Sequence, residues 1–198
     1  SPSDMKSFLE APFASHMERS LLEDKSKSVF LDPEDPMLVN LRQKGFEHEN
    51  SFLSHLVSEG KNVLEIRNET SEQMLSKTKE AMVEGVDVIA QAYLQKDNFA
   101  GIADFLIKVN GASNLGDYHY EVWDTKLSKK TKPYFAIQLC SYAEMLENIQ
   151  GLRPEKLAVV LGDKKIVELR TQDYFAYFNI LKSSFIRFHE NWNVSQLP

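Results

Sequence analysis

Two consecutive apolar segments of this chain carry charge at positions where a strand would face a protein core. They are AGIADFLIKV (100–109), which contains Asp104, and YHYEVWDTKL (118–127), which contains Asp124 and Lys126. Because successive side chains of a strand point to opposite faces, each of these charges shares a face with apolar neighbours. A charge in such a place is costly unless it is paired, hydrogen-bonded or bound to a metal ion. The fold therefore has to provide a partner for each of them.

The connection between the two segments, NGASNLGD, contains two glycines and suits a hairpin. In a hairpin Asp104 and Asp124 approach each other, which raises the pKa of one carboxyl group unless a cation lies between them. A Mg²⁺ or Mn²⁺ ion would remove that conflict, and Lys126 would be near enough to bind or deprotonate a water molecule. Taken separately, the charges have simpler explanations. These are an edge-strand salt bridge for Asp124 and Lys126, and a strand-end aspartate beside Gly101 for Asp104.

A helix predicted over 133–150 carries two polar residues, Gln138 and Tyr142, on its apolar stripe. They are four residues apart, so their side chains are neighbours on the helix surface. Such a pair suits either a satisfied amide and phenol in the core or a role in holding a substrate strand or orienting a metal ligand.

A second helix, predicted from 38 to 59 with Gly60 as its stop, carries two residues that can bind metal, His48 and Glu49. Either side chain can point inward, and the helical period does not choose between them. The stripe expected to be apolar and buried consists of Leu38, Leu41, Phe52, Leu53 and Leu56.

Three lysines, Lys129, Lys130 and Lys132, directly follow the segment that ends in Lys126 and Leu127. A lysine run is usually a solvated loop, but this position beside the carboxylates also suits contact with a phosphate backbone. Lys129 and Lys130 are therefore candidate substrate-binding residues.

The remaining pattern alternates between helical and strand-like periods. Residues 1–23 predict one or two short helices interrupted at Pro12, with Ser3 as an N-cap. The other predicted elements are a loop at 25–37, strands at 62–66, 86–94 and either side of Gly162-Asp163, and helices at 68–85 and 173–192. This layout predicts an α/β fold in which helices flank a central mixed sheet. We expect a single domain over 1–198, with an N-terminal helical segment of about 1–37.

Composition excludes several classes of protein. The chain has 198 residues and one cysteine, Cys140, so it cannot build a disulfide framework or a four-thiolate iron–sulfur or zinc site of its own. No apolar run approaches the roughly 20 residues that a membrane-spanning helix needs, and we expect a cytoplasmic protein. The net charge of −6 disfavours non-specific coating of nucleic acid but allows a local groove for a phosphate backbone. Since position 1 is not Met, we expect a piece of a larger protein.

The order and spacing of the unusual residues are specific even though each motif alone is weak. The chain resembles the RecB-like branch of the PD-(D/E)xK nucleases, and in particular an uncharacterised prokaryotic subgroup of it. The elements that carry the resemblance are Gly45-Phe46-Glu47-His48-Glu49, Gly101-Ile102-Ala103-Asp104, Asp124-Thr125-Lys126 and Gln138-Leu139-Cys140-Ser141-Tyr142. The resemblance covers residues 1 to about 150 well and the remainder less specifically.

The resemblance implies a restriction-endonuclease-like core and a metal-dependent nuclease that acts on single-stranded DNA or DNA ends. Asp104 and Asp124 would bind the catalytic Mg²⁺ or Mn²⁺, with the Thr125 carbonyl as a further ligand. Lys126 would position and activate the attacking water. Oxygen ligands favour these two ions over Zn²⁺.

The resemblance also implies roles for the two helices. Gln138 and Tyr142 would support the site and contact the nucleic-acid strand. Many relatives place the helical ligand four residues after the glycine, which is Glu49 here, and His48 is the second candidate. Some relatives hold an iron–sulfur cluster, which the single cysteine argues against. In the subgroup the domain precedes an RNase H-like domain or accompanies a helicase.

Two other interpretations stay open at the level of the sequence. One is a non-catalytic module that binds nucleic acid or protein on the same fold, which the acidic net charge allows. The other is an unrelated α/β enzyme in which the motif match is fortuitous. Intact motifs favour the nuclease, because a decayed site usually loses its lysine or an aspartate first.

Overall fold

Helices and strands alternate along the chain much as the periodicity predicts. The computed structural model describes residues 1–26 and 35–194. In these ranges the elements are α1 (Pro2–Glu10), α2 (Pro12–Glu23), α3 (Pro36–Ser58), β1 (Val63–Glu65), α4 (Ser71–Glu84), β2 (Val88–Lys96), β3 (Phe99–Ser113), β4 (Gly116–Thr125), α5 (Pro133–Gln150), β5 (Lys156–Val160), β6 (Ile166–Arg170) and α6 (Thr171–Glu190).

The six strands of the described residues form one mixed sheet in the order of the chain. The β1–β2 and β4–β5 pairs are parallel, and the β2–β3, β3–β4 and β5–β6 pairs are antiparallel. The predicted hairpin is therefore confirmed, with Phe105 opposite Trp123. Its loop is shorter than expected, because β3 extends to Ser113 and β4 begins at Gly116, with a register shift between Asn110 and Ser113.

Local signals explain most helix boundaries. Helix α4 begins with a capping box between Thr70 and Gln73, and Gly85 ends it with a left-handed φ of 72°. The predicted break at Pro12 is confirmed, because Pro12 is the first residue of α2. The predicted cap at Ser3 is wrong: the Ser1 hydroxyl accepts the hydrogen bond from the Asp4 N–H.

The predicted loop at 25–37 falls largely on residues 27–34, which lie outside the described residues. Its last two positions belong to α3, which begins at Pro36 with Asp35 as its cap. The Asp35 carboxylate accepts the hydrogen bond from the Met37 N–H.

Helices cover both faces of the sheet, as the sequence predicts. On one face α5 contributes residues such as Leu139 and Leu146 to the larger apolar core, where they join Leu106 of β3 and Val122 of β4. On the other face the C-terminal half of α3 packs against the sheet. The buried members of this second core are Phe52, Leu56, Val88, Ala90, Phe105 and Val160.

The N-terminal half of α3 does not pack as predicted. Leu38 and Leu41 are 54% and 42% exposed, whereas Phe52 and Leu56 are buried. The prediction of one continuous buried stripe is wrong, because the helix meets the sheet only from about Glu49 onward. No helix of the described ranges is long and apolar enough to cross a membrane.

A buried glutamine ties the end of α5 to β4, the strand that carries Asp124. Gln150 is fully buried; its Oε1 accepts a hydrogen bond from the Tyr120 N–H at 2.9 Å, and its Nε2 donates to the Tyr120 carbonyl at 3.1 Å. One side chain thus completes the backbone hydrogen bonding of a strand residue, which few other side chains could do.

Replacing this glutamine is expected to destabilise the fold. Gln150→Met keeps the volume but leaves both Tyr120 backbone groups buried and unpaired, which costs about 2–4 kcal/mol. Urea unfolding measures the change, with the exposed Asn148→Ala on the same helix as the control. A free energy of unfolding equal to that of the unaltered chain would contradict this account.

Candidate active site

The register of the β3–β4 hairpin places two aspartates side by side. Phe105 pairs with Trp123, so Asp104 and Asp124 stand opposite each other one step further along the strands. Their side chains lie on the face covered by α5, since the flanking Leu106 and Val122 belong to its core. Asp124 is only 3% exposed. The meeting of the two carboxylates expected from the sequence is therefore present in the fold.

The Asp104 carboxylate is held by the end of the neighbouring strand. Both the N–H and the hydroxyl of Thr125 donate to Asp104 Oδ2, each at 2.8 Å. Two donors on one oxygen fix the orientation of this carboxylate. Thr125 thus meets Asp104 through its amide and hydroxyl, whereas the resemblance implies a role for its carbonyl.

Lys126 pairs with the second aspartate. Its Nζ lies 2.6 Å from Asp124 Oδ2 and over the ring of Phe135, 5.5 Å from the ring centroid. Asp124 Oδ2 is buried and makes no well-aligned hydrogen bond with the described residues beyond this ion pair. The Lys126 N–H donates to the Val160 carbonyl at 2.9 Å, so β5 fixes the backbone beneath the ammonium.

Helix α3 contributes a third carboxylate. Glu49 is buried, and its Oε1 accepts a hydrogen bond from Gln91 Nε2 at 2.6 Å. Burial and then the nearby Asp104 raise the pKa of Glu49 to about 7, while the hydrogen bond from Gln91 opposes them. Burial and then Asp104 likewise raise the pKa of Asp124 to about 7, while Lys126 opposes them. Glu49 thus belongs to the same electrostatic site as the two aspartates.

His48, the other helical candidate, has a different neighbour. Its Nε2 lies 3.2 Å from the carbonyl oxygen of Val160. The ring lines a small cavity of about 160 Å³ together with His55 and Lys164. The structure therefore brings Glu49, and not His48, to the aspartates.

Tyr142 and Gln138 of α5 lie beside the aspartates as a hydrogen-bonded pair. Tyr142 is buried, and its hydroxyl donates to the Ile102 carbonyl at 2.6 Å, two residues before Asp104. Burial raises the pKa of Tyr142, and so do the charges of Asp124 and Asp104, while a hydrogen bond from Gln138 lowers it. The phenol thus supports the strand segment that carries Asp104.

Gly101 allows this helix to approach the strand. A Cβ at Gly101 would lie 2.9 Å from Pro2 Cδ and 3.1 Å from Tyr142 Cε1, closer than side chains normally pack. The glycine of the G-x-x-D motif is therefore explained by close packing against α1 and α5. Gly45, the glycine of the helical motif, has open space around it, and nothing in the structure explains it.

Lys129 and Lys130 are exposed in the loop after β4. The loop turns at Ser128, whose hydroxyl donates to the Lys130 carbonyl at 2.7 Å. It is fixed at its start by Gly162, whose N–H donates to the Ser128 carbonyl at 3.0 Å. A Cβ at Gly162 would lie 2.2 Å from the Leu127 carbonyl oxygen, so a glycine is needed for this contact.

The three carboxylates have the chemistry of a site for a hard divalent ion but are held by protein donors in this structure. Among residues 1–26 and 35–194 no group of three or more His, Cys, Asp or Glu side chains is gathered closely enough to hold a metal. The donor set nevertheless fits Mg²⁺ or Mn²⁺, because it consists of carboxylate oxygens. A bound cation would also give the Asp124 oxygen, which has no aligned hydrogen bond, a partner, and it would lower the raised pKa values of Glu49 and Asp124.

Gln91 also contacts the site, although none of the sequence motifs includes it. It donates to Glu49 from the middle of β2. The available signal was a polar residue inside the apolar run VDVIAQAYL.

No protein-family model matches this chain, and no curated protein matches it significantly. The resemblance to RecB-like nucleases therefore stays a prediction that rests on the motifs and on the geometry of the site.

The site is expected to make stability depend on pH. A carboxyl group whose pKa is raised in the folded state binds more protons there than in the unfolded chain. Its contribution to stability is therefore greatest at low pH and is lost as pH rises toward about 7. Asp124→Asn removes this effect at one position. In EDTA, the variant is expected to exceed the unaltered chain by about 1–3 kcal/mol at pH 8 and by less at pH 5.

Urea unfolding at the two pH values measures this difference. The exposed Asp117→Asn near the start of β4 is the matched control and should change stability equally at both pH values. An Asp124→Asn effect that is the same at pH 5 and pH 8 would show that the buried carboxyl group is not under electrostatic strain.

Proposed function

We propose that this chain is a metal-dependent nuclease domain with a restriction-endonuclease-like, RecB-like core that hydrolyses phosphodiester bonds in DNA. The observation that carries the proposal is the pair of aspartates on adjacent strands, with Lys126 bound to Asp124 at 2.6 Å. Glu49 on α3 and Tyr142 on α5 approach the same pair from two helices. A mixed sheet between helices is compatible with this class of fold.

Glu49, Asp104 and Asp124 would hold the divalent ion. Bound Mg²⁺ or Mn²⁺ supplies a Lewis acid that neutralises charge on the phosphate and lowers the pKa of a water molecule. The Thr125 carbonyl would be a further ligand. The contact of His48 with Val160 makes His48 the weaker helical candidate.

The other residues act on water and on the strand. Lys126 is partly exposed, with 23% of its side chain accessible, so its Nζ can hydrogen-bond a water molecule while Asp124 holds it in place. The ammonium also stabilises negative charge as it develops on the phosphate. Tyr142 and Gln138 keep Asp104 in position and flank the strand to be cut.

The exposed lysines suit a phosphate backbone. Lys129 and Lys130 lie three and four residues after Lys126 in the chain, and both are exposed. They place positive charge locally on a chain whose net charge is −6. We propose single-stranded DNA or DNA ends as substrate, with a helicase or RNase H-like domain as the associated unit.

A specific observation favours a second candidate, a non-catalytic module that binds nucleic acid or protein. Each carboxylate already has a protein partner: Thr125 for Asp104, Lys126 for Asp124 and Gln91 for Glu49. A site satisfied in this way can be stable without metal. Cleavage in the presence of metal separates the two candidates.

The deciding assay is cleavage of end-labelled single- and double-stranded DNA with Mn²⁺, Mg²⁺ or EDTA. We expect metal-dependent cleavage that Lys126→Ala lowers by about 10²–10⁴-fold, the usual contribution of a group that activates water. Lys79→Ala, an exposed lysine on α4, is the control and should cleave like the unaltered chain. Binding of DNA without cleavage in either metal would favour the non-catalytic module.

A further inference from the structure

Gln91 has a backbone conformation that is unusual for a strand residue. Its φ is 56°, in the left-handed region that non-glycine residues avoid. Pairing between β2 and β3 continues on both sides, with Ala90 opposite Phe105 and Ala92 opposite Ala103, and is interrupted at Gln91 itself. Glycine would adopt this conformation with less strain. The presence of a long polar side chain therefore needs an explanation.

The side chain links the sheet to a carboxylate on α3. Gln91 Nε2 donates to Glu49 Oε1 at 2.6 Å, between residues 42 positions apart in the chain. By the β2–β3 register Gln91 stands opposite Asp104, so this contact lies at the level of the aspartates. Strained backbone conformations persist where the surrounding structure requires them, and they cluster at functional sites.

We infer that Gln91 is a positioning residue that holds the Glu49 carboxylate toward Asp104 and Asp124 for binding of a divalent ion. The inference rests on the proposed function. An amide suits this task because it donates a hydrogen bond to one carboxylate oxygen without adding a charge that would repel a cation. Outer residues that orient a metal ligand in this way typically contribute 10–100-fold to metal affinity.

The attachment of α3 to the sheet has a separate basis. Phe52 and Leu56 pack into the core formed with Phe105, and the Phe52 ring stacks on Trp123 at a centroid distance of 6.2 Å. Loss of the Gln91 amide would therefore leave the helix in place and free the Glu49 carboxylate to rotate. Stability and metal binding should respond differently to the same substitution.

Gln91→Gly tests this separation because it relieves the left-handed strain and removes the amide together. We expect the dissociation constant for Mn²⁺, measured by titration calorimetry on the full chain, to rise 10–100-fold. The urea midpoint should equal or exceed that of the unaltered chain. Asp97→Gly is the matched control, since Asp97 has a φ of 52° in the turn directly after the same strand and lies outside the site.

A second variant separates the loss of the amide from the added backbone flexibility of a glycine at residue 91. Gln91→Met keeps a long side chain without a donor and should also weaken Mn²⁺ binding, whereas Asp97→Gly should leave it unchanged. Unaltered Mn²⁺ affinity in both Gln91 variants would overturn the inference while leaving the proposed function intact. Failure of the unaltered chain to bind Mn²⁺ would overturn the proposed function, and this inference with it.

Discussion

The antiparallel pairing of β3 with β4 is the constraint on which the site depends. A strand shifted by one residue turns every side chain to the opposite face, so a slip would separate Asp104 from Asp124. Apolar side chains resist such a slip, because Leu106 and Val122 are fully buried on the same face as the aspartates. The core that stabilises the fold thus also determines that the two carboxylates meet.

The negative charge that is buried where β3 and β4 bring Asp104 and Asp124 together lowers the stability of the fold. Thr125, Lys126 and Gln91 each provide donors to a different carboxylate, yet burial still raises the pKa of Glu49 and of Asp124 to about 7. A site under such strain gains more from a bound cation than a relaxed one would. Natural proteins commonly accept this cost where function requires it.

The sequence predicted most of the elements because their signals are local. The helix at 133–150 has the predicted bounds, with Pro133 at its start and Gly151 after its end. Alternation within β3 and β4 placed their charges on one face, and the four-residue spacing of Gln138 and Tyr142 made them neighbours. These features depend on periods of two and of about four residues, which a sequence shows directly.

Tertiary contacts determine the features of the site that the helical and strand periods leave open. Adjacent helix positions such as His48 and Glu49 differ in direction by about a third of a turn, and only the placement of α3 over the sheet assigns one to Val160 and the other to the aspartates. The exposed start of α3 could not be predicted either, because its apolar residues continue a helical period. The left-handed backbone of Gln91 leaves no pattern in a single sequence.

The contact between Gly162 and the backbone at Leu127 and Ser128 holds the start of the lysine loop, residues 127–132, close to Lys126. The loop ends where α5 begins at Pro133. Lys130 lies four residues beyond Lys126, so the backbone separates them by at most about 14 Å. In a nuclease of this design, phosphates held by the loop would lie within a few nucleotides of the cut. The fold would then limit the distance between the phosphates bound by the loop and the position of cleavage.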